Sequence, residues 1–359
     1  MPSQTISNLL WCKMTEKPRS SPSLPLKTRI SISFLSTLTD SACRSDGTVN
    51  RRLLNLFDFR SSPNPRFSSG VRTADITVDP SRNLWFRLFV PSSPSGNRLP
   101  VIVFFHGGGF AFLSPSAFAY DAVCRRFARK LPAIILSVNY RLSPEHRHPA
   151  PYIDGLDTLR FLDSSELDRF DPDASAIADL SNVFLAGDSA GGNIAHHVTR
   201  LWAAEQDSKP WARVRISGLV AIQPFLGSED RTPAEIRLEG APLVSTKRTD
   251  WLWKAFLPEG SDRDHPTANV FGPKDDAELG EWFPATMVVI GGWDPLQDLQ
   301  RRYAEEMRKR GKEVKLLEYA DAIHAFYIFP ELKLSTEFIG EMKSFVETHS
   351  KKQEINSNI

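Results

Sequence analysis

The chain has 359 residues, 41% of them hydrophobic and 24% charged, which excludes global disorder and is typical of a globular protein with a sizeable core. Lysine plus arginine (44) and aspartate plus glutamate (43) leave a net charge of +1, so no general field attracts nucleic acid or an anionic membrane surface. No apolar run approaches the ~20 residues of a membrane-spanning helix, and we expect neither a nucleic-acid partner nor a membrane span.

Cysteine usage bears on the cellular compartment. Cys12, Cys43 and Cys124 lie far apart in the sequence. An odd number with no paired spacing argues against a disulfide framework and against a zinc site, so it favours a reducing compartment and a cytoplasmic location. The first forty residues are rich in serine, lysine and arginine and nearly free of acids, a composition also found in transit peptides. Organellar targeting by the N-terminus therefore stays open.

The sequence predicts an irregular N-terminal extension followed by a series of strands and helices. Residues 1–69 carry many serines and prolines, which predicts an N-terminal extension of irregular structure with one or two short helices. Alternating runs at 74–78 and 84–90, joined by a turn sequence, predict a β-hairpin. Strand-like runs, separated in part by helical patterns, follow at 99–105, 133–139, 183–186, 216–222, 286–290 and 313–319. This order predicts an α/β fold with a mostly parallel sheet and an antiparallel edge.

Residues 227–283 interrupt this pattern. They are polar and proline-rich, contain Trp251 and Trp253, and are too numerous for a plain connection. We expect an insertion that covers one end of the sheet. The predicted organisation is therefore an extension over 1–69, a main domain over 70–349 and a polar tail over 350–359.

The pentapeptide Gly187-Asp188-Ser189-Ala190-Gly191 has the pattern G-x-S-x-G and lies between a predicted strand and a predicted helix. A serine in such a tight turn is lifted out of the sheet, and the N–H groups after it lie at a helix N-terminus, where negative charge is favoured. This context predicts that Ser189 is a nucleophile. A glycine-rich turn without chemistry and a phosphate-binding loop are the alternatives, although the pattern G-x-x-x-x-G-K-[ST] does not accompany it.

A second motif, His106-Gly107-Gly108-Gly109, follows the predicted strand 99–105. Three consecutive glycines carry a high entropy cost, so they suit a place where backbone must approach a ligand closely. The amides of these glycines, together with that of Ala190, are predicted to form an oxyanion hole. A flexible turn is the alternative interpretation, and His106 is expected to hold structure.

A serine hydroxyl needs a base, and eight histidines are available. His324 is the predicted base because it comes just after the last strand-like run, where a loop can return to the sheet's C-terminal edge. Asp294 follows the strand 286–290 and is the predicted orienting acid, whereas the competing Asp298 falls in a predicted helix. Asp188 is excluded because its side chain must diverge from the neighbouring Ser189. The order Ser, Asp, His is that of α/β-hydrolases.

Over roughly residues 70–345 the sequence resembles the plant carboxylesterases of the hormone-sensitive-lipase-like branch of the α/β-hydrolase superfamily. The resemblance is carried by residues 106–109, 139–145, 187–193, 294–296 and 324–326. Residues 44–51 are similar to the N-terminal strap of this group and of its non-catalytic relatives, the gibberellin receptors. The resemblance implies an α/β-hydrolase fold, with an eight-stranded, mostly parallel sheet flanked by helices and a cap formed by the strap and the insertion.

The resemblance also implies a function. It implies a serine carboxylesterase that uses Ser189, Asp294 and His324 to cleave small-molecule esters with short to medium acyl chains, with no metal or organic cofactor. Two other functions stay open: a catalytically silent binder like the receptors, which lack the histidine that stands here at 324, and an amidase or deacetylase with the same triad. The oligomeric state is not predicted. Candidates for an apolar acyl site are Phe110, Phe112, Phe225 and Tyr327.

Overall fold

The structure of the protein is a computed structural model that describes residues 21–92, 98–208, 213–241 and 243–357. Cys12 and most of the segment 1–23 lie outside the described residues. Within the described ranges, no helix combines the length and the apolar character needed to cross a membrane.

Eight strands form one sheet. They are β1 (Val71–Asp79), β2 (Leu84–Pro91), β3 (Leu99–Phe105), β4 (Ile134–Val138), β5 (Ala178–Asp188), β6 (Ile216–Ile222), β7 (Thr286–Gly291) and β8 (Val314–Tyr319). Their order across the sheet is β1-β2-β4-β3-β5-β6-β7-β8. The pairs β1–β2 and β2–β4 are antiparallel and the other pairs are parallel. The predicted eight-stranded, mostly parallel sheet with an antiparallel edge is confirmed.

Helices cover both faces of this sheet. They are α1 (Leu26–Ala42), α2 (Arg51–Phe57), α3 (Phe118–Lys130), α4 (Ala150–Asp163), α5 (Leu167–Phe170), α6 (Pro172–Ile177), α7 (Ala190–Ser208), α8 (Pro233–Arg237), α9 (Thr246–Phe256), α10 (Gln297–Lys309) and α11 (Lys333–Ser357). Helix α11 continues to Ser357 and includes most of the predicted polar tail, whose lysine, glutamine and glutamate residues are good helix formers.

Two hydrophobic cores lie on opposite faces of the sheet. Along β3, Val101, Val103 and Phe105 belong to one core, and Ile102 and Phe104 belong to the other. A strand that is buried on both faces reads as a continuous apolar run rather than an alternating one. The sequence of β3 has this form for that reason.

The C-terminal ends of the parallel strands lie along one edge of the sheet. Phe105 ends β3, Asp188 ends β5, Gly291 ends β7 and Tyr319 ends β8. The glycine motif, Ser189, Asp294 and the loop with residue 324 come after the ends of these strands. Ligand sites of open α/β sheets form outside this edge, so the topology gathers the predicted motifs in one region.

The N-terminal extension and the insertion are joined by polar contacts above this edge. Helices α1 and α2 come from the extension, and α8 and α9 come from the insertion. Nη2 of Arg248 on α9 donates to Asp40 of α1 at 2.8 Å. The indole N–H of Trp251 donates to the carbonyl of Arg44 at 2.9 Å. These contacts hold the extension and the insertion together as one cover, which we call the cap.

Candidate active site

Ser189 lies in a sharp turn between β5 and α7. Its φ is 53°, a left-handed value that an L-residue other than glycine adopts only when the surroundings hold it there. Its N–H donates to the carbonyl of Ile222 at 3.0 Å, and its carbonyl accepts the N–H of Phe225 at 2.8 Å. A Cβ atom on Gly191 would lie 1.9 Å from the carbonyl oxygen of Phe105. The motif therefore needs glycine here because the turn packs directly against β3.

The glycine loop after β3 lies beside this turn. Gly108 and Gly109 have φ values of 107° and 58°, and both line the cavity that contains Ser189. The N–H of Gly107 donates to the hydroxyl of Tyr120 at 2.7 Å. This amide is therefore occupied, and Gly107 shapes the loop instead of facing an oxyanion. The amides of Gly108, Gly109 and, at the start of α7, Ala190 are the candidates for the oxyanion hole.

His106 supports the glycine loop from inside the protein. It is fully buried, its ring stacks on Tyr140 with centroids 4.3 Å apart, and its Nδ1 lies 2.8 Å from the carbonyl oxygen of Gly107. Burial lowers the pKa of His106 to about 4, although the Gly107 carbonyl opposes this shift. The imidazole is therefore neutral at physiological pH, and its contacts are with the structural groups Tyr140 and Gly107.

The structure brings Asp294 and His324 into contact. Nδ1 of His324 lies 2.8 Å from Oδ2 of Asp294, which is completely buried. The same oxygen accepts hydrogen bonds from Nε2 of Gln223 (3.0 Å) and of Gln300 (3.1 Å), and Oδ1 accepts the N–H of Leu296 at 3.0 Å. A carboxylate with four donors is fixed in position, so it can orient the imidazole.

The surroundings of His324 influence its charge. Burial is the largest influence and lowers the pKa of His324, but the charge and hydrogen bond of Asp294 and the charge of Asp188 raise it, and the net shift is upward. Because Nδ1 contacts Asp294, Nε2 is the ring nitrogen left for chemistry. His324 and Ser189 line the same cavity.

This cavity has a volume of about 520 Å³. Its polar lining includes Ser189, Asp188 and His324 beside Gly108 and Gly109, and charged residues such as Arg51, Glu145 and Arg248. Its apolar lining residues are Leu35, Leu38, Leu54, Phe57, Phe112, Leu113, Leu142, Phe225, Leu243, Val244, Leu252, Leu296 and Ile328. The cavity therefore combines a mainly apolar wall with a group of hydrogen-bonding atoms, as ligand pockets commonly do.

Two of the four aromatic residues considered for the acyl site line the cavity, namely Phe112 and Phe225. Phe110 instead stacks on Phe256 of α9, with ring centroids 3.7 Å apart, and belongs to the core. Tyr327 is completely buried and also belongs to a core cluster. The two expectations for Phe110 and Tyr327 are wrong because both rings pack into core clusters, Phe110 against the insertion and Tyr327 against Phe127 and Phe338.

Arg51 fixes the cap to the body of the protein. Its guanidinium donates to both oxygens of Glu145, at 2.9 and 2.6 Å, and to the carbonyl oxygens of Ser143 (2.7 Å) and Ala111. A bidentate arginine–carboxylate pair gives geometric specificity as well as energy. Helix α2, which contributes Leu54 and Phe57 to the cavity lining, is thus held against the loops after β3 and β4.

Sequence reasoning missed three residues of this site: Gln223, Gln300 and Tyr120. Gln223 directly follows the buried strand β6, has a φ of 43° and is 1% exposed. A polar side chain at the end of a buried parallel strand could have identified Gln223 as a site residue. Gln300 and Tyr120 lie on helices, and no local pattern distinguishes them from other helix residues.

Comparison with known proteins shows the family of this chain. Residues 102–328 match the protein family described as alpha/beta hydrolase fold. The gibberellin receptor GID1C of Arabidopsis thaliana is 38% identical over 90% of this chain and 94% of its own length. Carboxylesterase 20 of the same plant is 35% identical over 84% of this chain and 93% of its own length.

A solved structure extends the comparison. An α/β hydrolase enzyme from the metagenome of Lake Arreo, Spain, superposes with a TM-score of 0.70 and 25% identity, and the match covers 91% of this chain and 99% of that one. Receptors and carboxylesterases, the two groups that the sequence resembles, are thus both among the relatives. The chain belongs to the α/β hydrolase fold family.

Proposed function

We propose that the protein is a serine carboxylesterase, in which Ser189 is the nucleophile, His324 the general base and Asp294 the acid that orients it. The observation that carries this proposal is the 2.8 Å contact between His324 and Asp294 at the wall of the cavity that contains Ser189. Relatives named carboxylesterases, at 31–35% identity, support the same chemistry.

The mechanism follows from these positions. Nε2 of His324 takes the proton of the Ser189 hydroxyl while Oγ bonds to the ester carbonyl carbon, and the carbonyl π electrons move to the oxygen. The resulting oxyanion accepts hydrogen bonds from the amides of Gly108, Gly109 and Ala190. His324 then gives its proton to the leaving alcohol as the C–O bond breaks, which leaves an acyl-enzyme. Water repeats the sequence and releases the carboxylic acid.

The cavity supports a small, mainly apolar ester with a short to medium acyl chain. Its volume of about 520 Å³ and its leucine-rich walls suit such a molecule. The cap covers the site, so a long triglyceride chain would require the cap to open.

A second candidate is a binding protein that resembles the receptors. The observation that favours it is the 38% identity to the gibberellin receptor GID1C, with almost the whole length of both chains aligned. The two functions make opposite demands on His324. A silent binder has no use for a base whose carboxylate partner is held by three further donors, whereas an esterase requires it.

Labelling with a fluorophosphonate probe tests the proposal directly, because the probe reacts with activated serines only. We expect labelling of the full chain and hydrolysis of p-nitrophenyl acetate or butyrate, both lost in a Ser189→Ala variant. A well-folded wild-type protein that neither labels nor hydrolyses these esters would instead support the binding protein. Comparison of matched ester and amide substrates separates the esterase from an amidase or deacetylase.

A further inference from the structure

Asp188 and Tyr120 form a buried hydrogen-bonded link behind Ser189. Each is 2% exposed. The hydroxyl of Tyr120 donates to the Asp188 carboxylate, with distances of 2.9 Å to Oδ2 and 3.1 Å to Oδ1, and its oxygen accepts the N–H of Gly107 at 2.7 Å. One tyrosine hydroxyl therefore joins the glycine loop to the serine turn.

The space around this link leaves little room for movement. A Cβ atom on Gly107 would lie 2.5 Å from Oδ2 of Asp188 and 2.8 Å from the Tyr120 hydroxyl. The position of the glycine loop relative to Ser189 is therefore set by direct contact with these two side chains. A shift of either would move the amides of Gly108 and Gly109.

Asp188 also acts on the imidazole. Asp188 and His324 line the same cavity as Ser189. The negative charge of Asp188 raises the pKa of His324, which thus interacts with two carboxylates, Asp294 by hydrogen bond and Asp188 through space. Burial raises the pKa of Asp188 itself to about 6, and hydrogen bonding to Tyr120 opposes that shift. Above pH 6 the carboxylate is therefore mainly ionised.

The other titratable groups that interact with Asp188 are neutral near pH 7. They are Tyr120 on α3, Tyr140 after β4, Tyr327 after the His324 loop and Cys124 on α3. Burial raises the pKa of each of these groups, so none carries charge near neutral pH. The electrostatic effect on His324 from this side of the site therefore comes from Asp188.

We propose that Asp188 is a second positioning acid of this site: through Tyr120 it fixes the glycine loop against the serine turn, and through its charge it favours the imidazolium that forms during the reaction. The inference rests on the proposed function, to which it adds two residues that do not touch the reacting atoms. The G-x-S-x-G pattern itself does not require an acid at the second position, and the structure gives the reason for one here.

The first test replaces Asp188 with asparagine, which keeps the shape and removes the charge. We expect the acidic limb of the pH profile of kcat/KM to move to lower pH by roughly 0.5–1 unit, because His324 loses a charge that favours its protonated form. NMR of protein labelled with ¹³C-histidine measures the same pKa without turnover, and a His324→Gln variant assigns the resonance. An unmoved pKa of His324 would overturn the electrostatic role.

The second test replaces Tyr120 with phenylalanine. We expect kcat to fall about 10–100-fold with little change in KM, because the oxyanion donors lose their fixed position. Tyr303→Phe is the matched control: Tyr303 is buried and its hydroxyl lies 2.8 Å from Nδ1 of His196, away from the cavity. Equal losses of kcat in the two variants, with equal thermal midpoints, would overturn the positioning role.

These measurements also separate the inference from the proposed function. A wild-type protein without esterase activity contradicts the proposed function, yet the NMR titration of Asp188→Asn still tests the coupling to His324. An active wild-type protein with an unshifted profile in Asp188→Asn contradicts the inference alone. If Asp188→Asn fails to fold, the comparison of Tyr120→Phe with Tyr303→Phe decides the positioning role.

Discussion

Gln223 Nε2 lies 3.0 Å from Asp294 Oδ2, and Oε1 of the same amide accepts the N–H of Ala325 at 2.9 Å. One side chain thus holds both the carboxylate and the loop that carries His324. Its φ of 43° is a left-handed value that a residue other than glycine adopts only when the surroundings hold it there.

Replacement of Gln223 tests this relationship. We expect Gln223→Ala to lower kcat about 10–100-fold with a small change in KM, because the imidazole loses its fixed orientation. Gln300→Ala is the matched comparison, since Gln300 also donates to Oδ2 of Asp294 but makes its other hydrogen bond to the carbonyl of Pro224 rather than to the His324 loop. Steady-state kinetics with a nitrophenyl ester measure both, and an equal or larger loss for Gln300→Ala would contradict the role given to Gln223.

The pH dependence of activity should report His324. The base must be neutral to accept a proton, and its pKa lies above the ordinary ~6.5. Protonation of His324 should therefore lower kcat/KM as pH decreases through a midpoint above 6.5. A pH profile measured between 5 and 9 checks this, and a flat profile from pH 5 to 8 would count against His324 as the base.

Stability should depend on pH through His106. Burial lowers the pKa of His106 to about 4, well below its value in the unfolded chain, so the unfolded state binds the proton more tightly. The contribution of His106 to the free energy of unfolding is complete above pH 6.5. It decreases by on the order of 3 kcal/mol in total as pH falls toward 4.

Urea unfolding at pH 7, 5.5 and 4.5 measures this slope. A His106→Gln variant removes the titrating group while it keeps a polar side chain of similar reach. We expect a shallower decrease in the free energy of unfolding for the variant than for the wild-type protein. Parallel pH dependences would show that His106 is not among the groups responsible.

Gly191 offers a test of the serine turn itself. Gly191→Ala places a Cβ atom 1.9 Å from a backbone oxygen of β3, which cannot rotate away. We expect loss of soluble folded protein or a thermal midpoint lowered by more than ~10 °C. Gly340→Ala on α11 is the control, because nothing lies within 4 Å of its Cβ position, and alanine favours a helix by up to about 1 kcal/mol.

The attachment of the cap is tested at Arg51. Arg51→Lys keeps the charge but loses the bidentate contact with Glu145 and the bonds to the two loop carbonyls. We expect KM for an apolar ester to rise about 3–10-fold with a smaller fall in kcat, because the cavity wall loosens. Arg169→Lys, in a surface pair with Glu166, is the control and should leave both constants unchanged.

The sheet was predictable because its parallel strands are buried on both faces and read as apolar runs. The predicted run 183–186 is only the centre of β5, which extends over Ala178–Asp188. Asn182 lies in the part of β5 that precedes this apolar run, so the pattern of apolar residues did not reveal where the strand begins. The order of the strands was not predictable from local pattern, since β4 inserts between β2 and β3 by pairing over a long sequence separation.

The site, like the sheet, has a part that the sequence predicts and a part that it does not. Ser189, Asp294 and His324 each follow a strand in the sequence, so parallel topology alone indicated a common edge, and the roles given to them stay predictions. The contacts of Gln223 and Tyr120 depend on side chains that meet across 71 and 68 residues. No periodicity or motif encodes such a meeting, and only the folded chain displays it.

The cavity takes Leu35, Leu38, Leu54 and Phe57 from the first sixty residues, whereas its other apolar lining residues come from the loops after the strands and from the insertion. Selection of the ligand is therefore shared between the N-terminal extension and the rest of the chain. Exchange of the first sixty residues between relatives should change ligand preference in part, while Ser189, Asp294 and His324 keep their places after the strands.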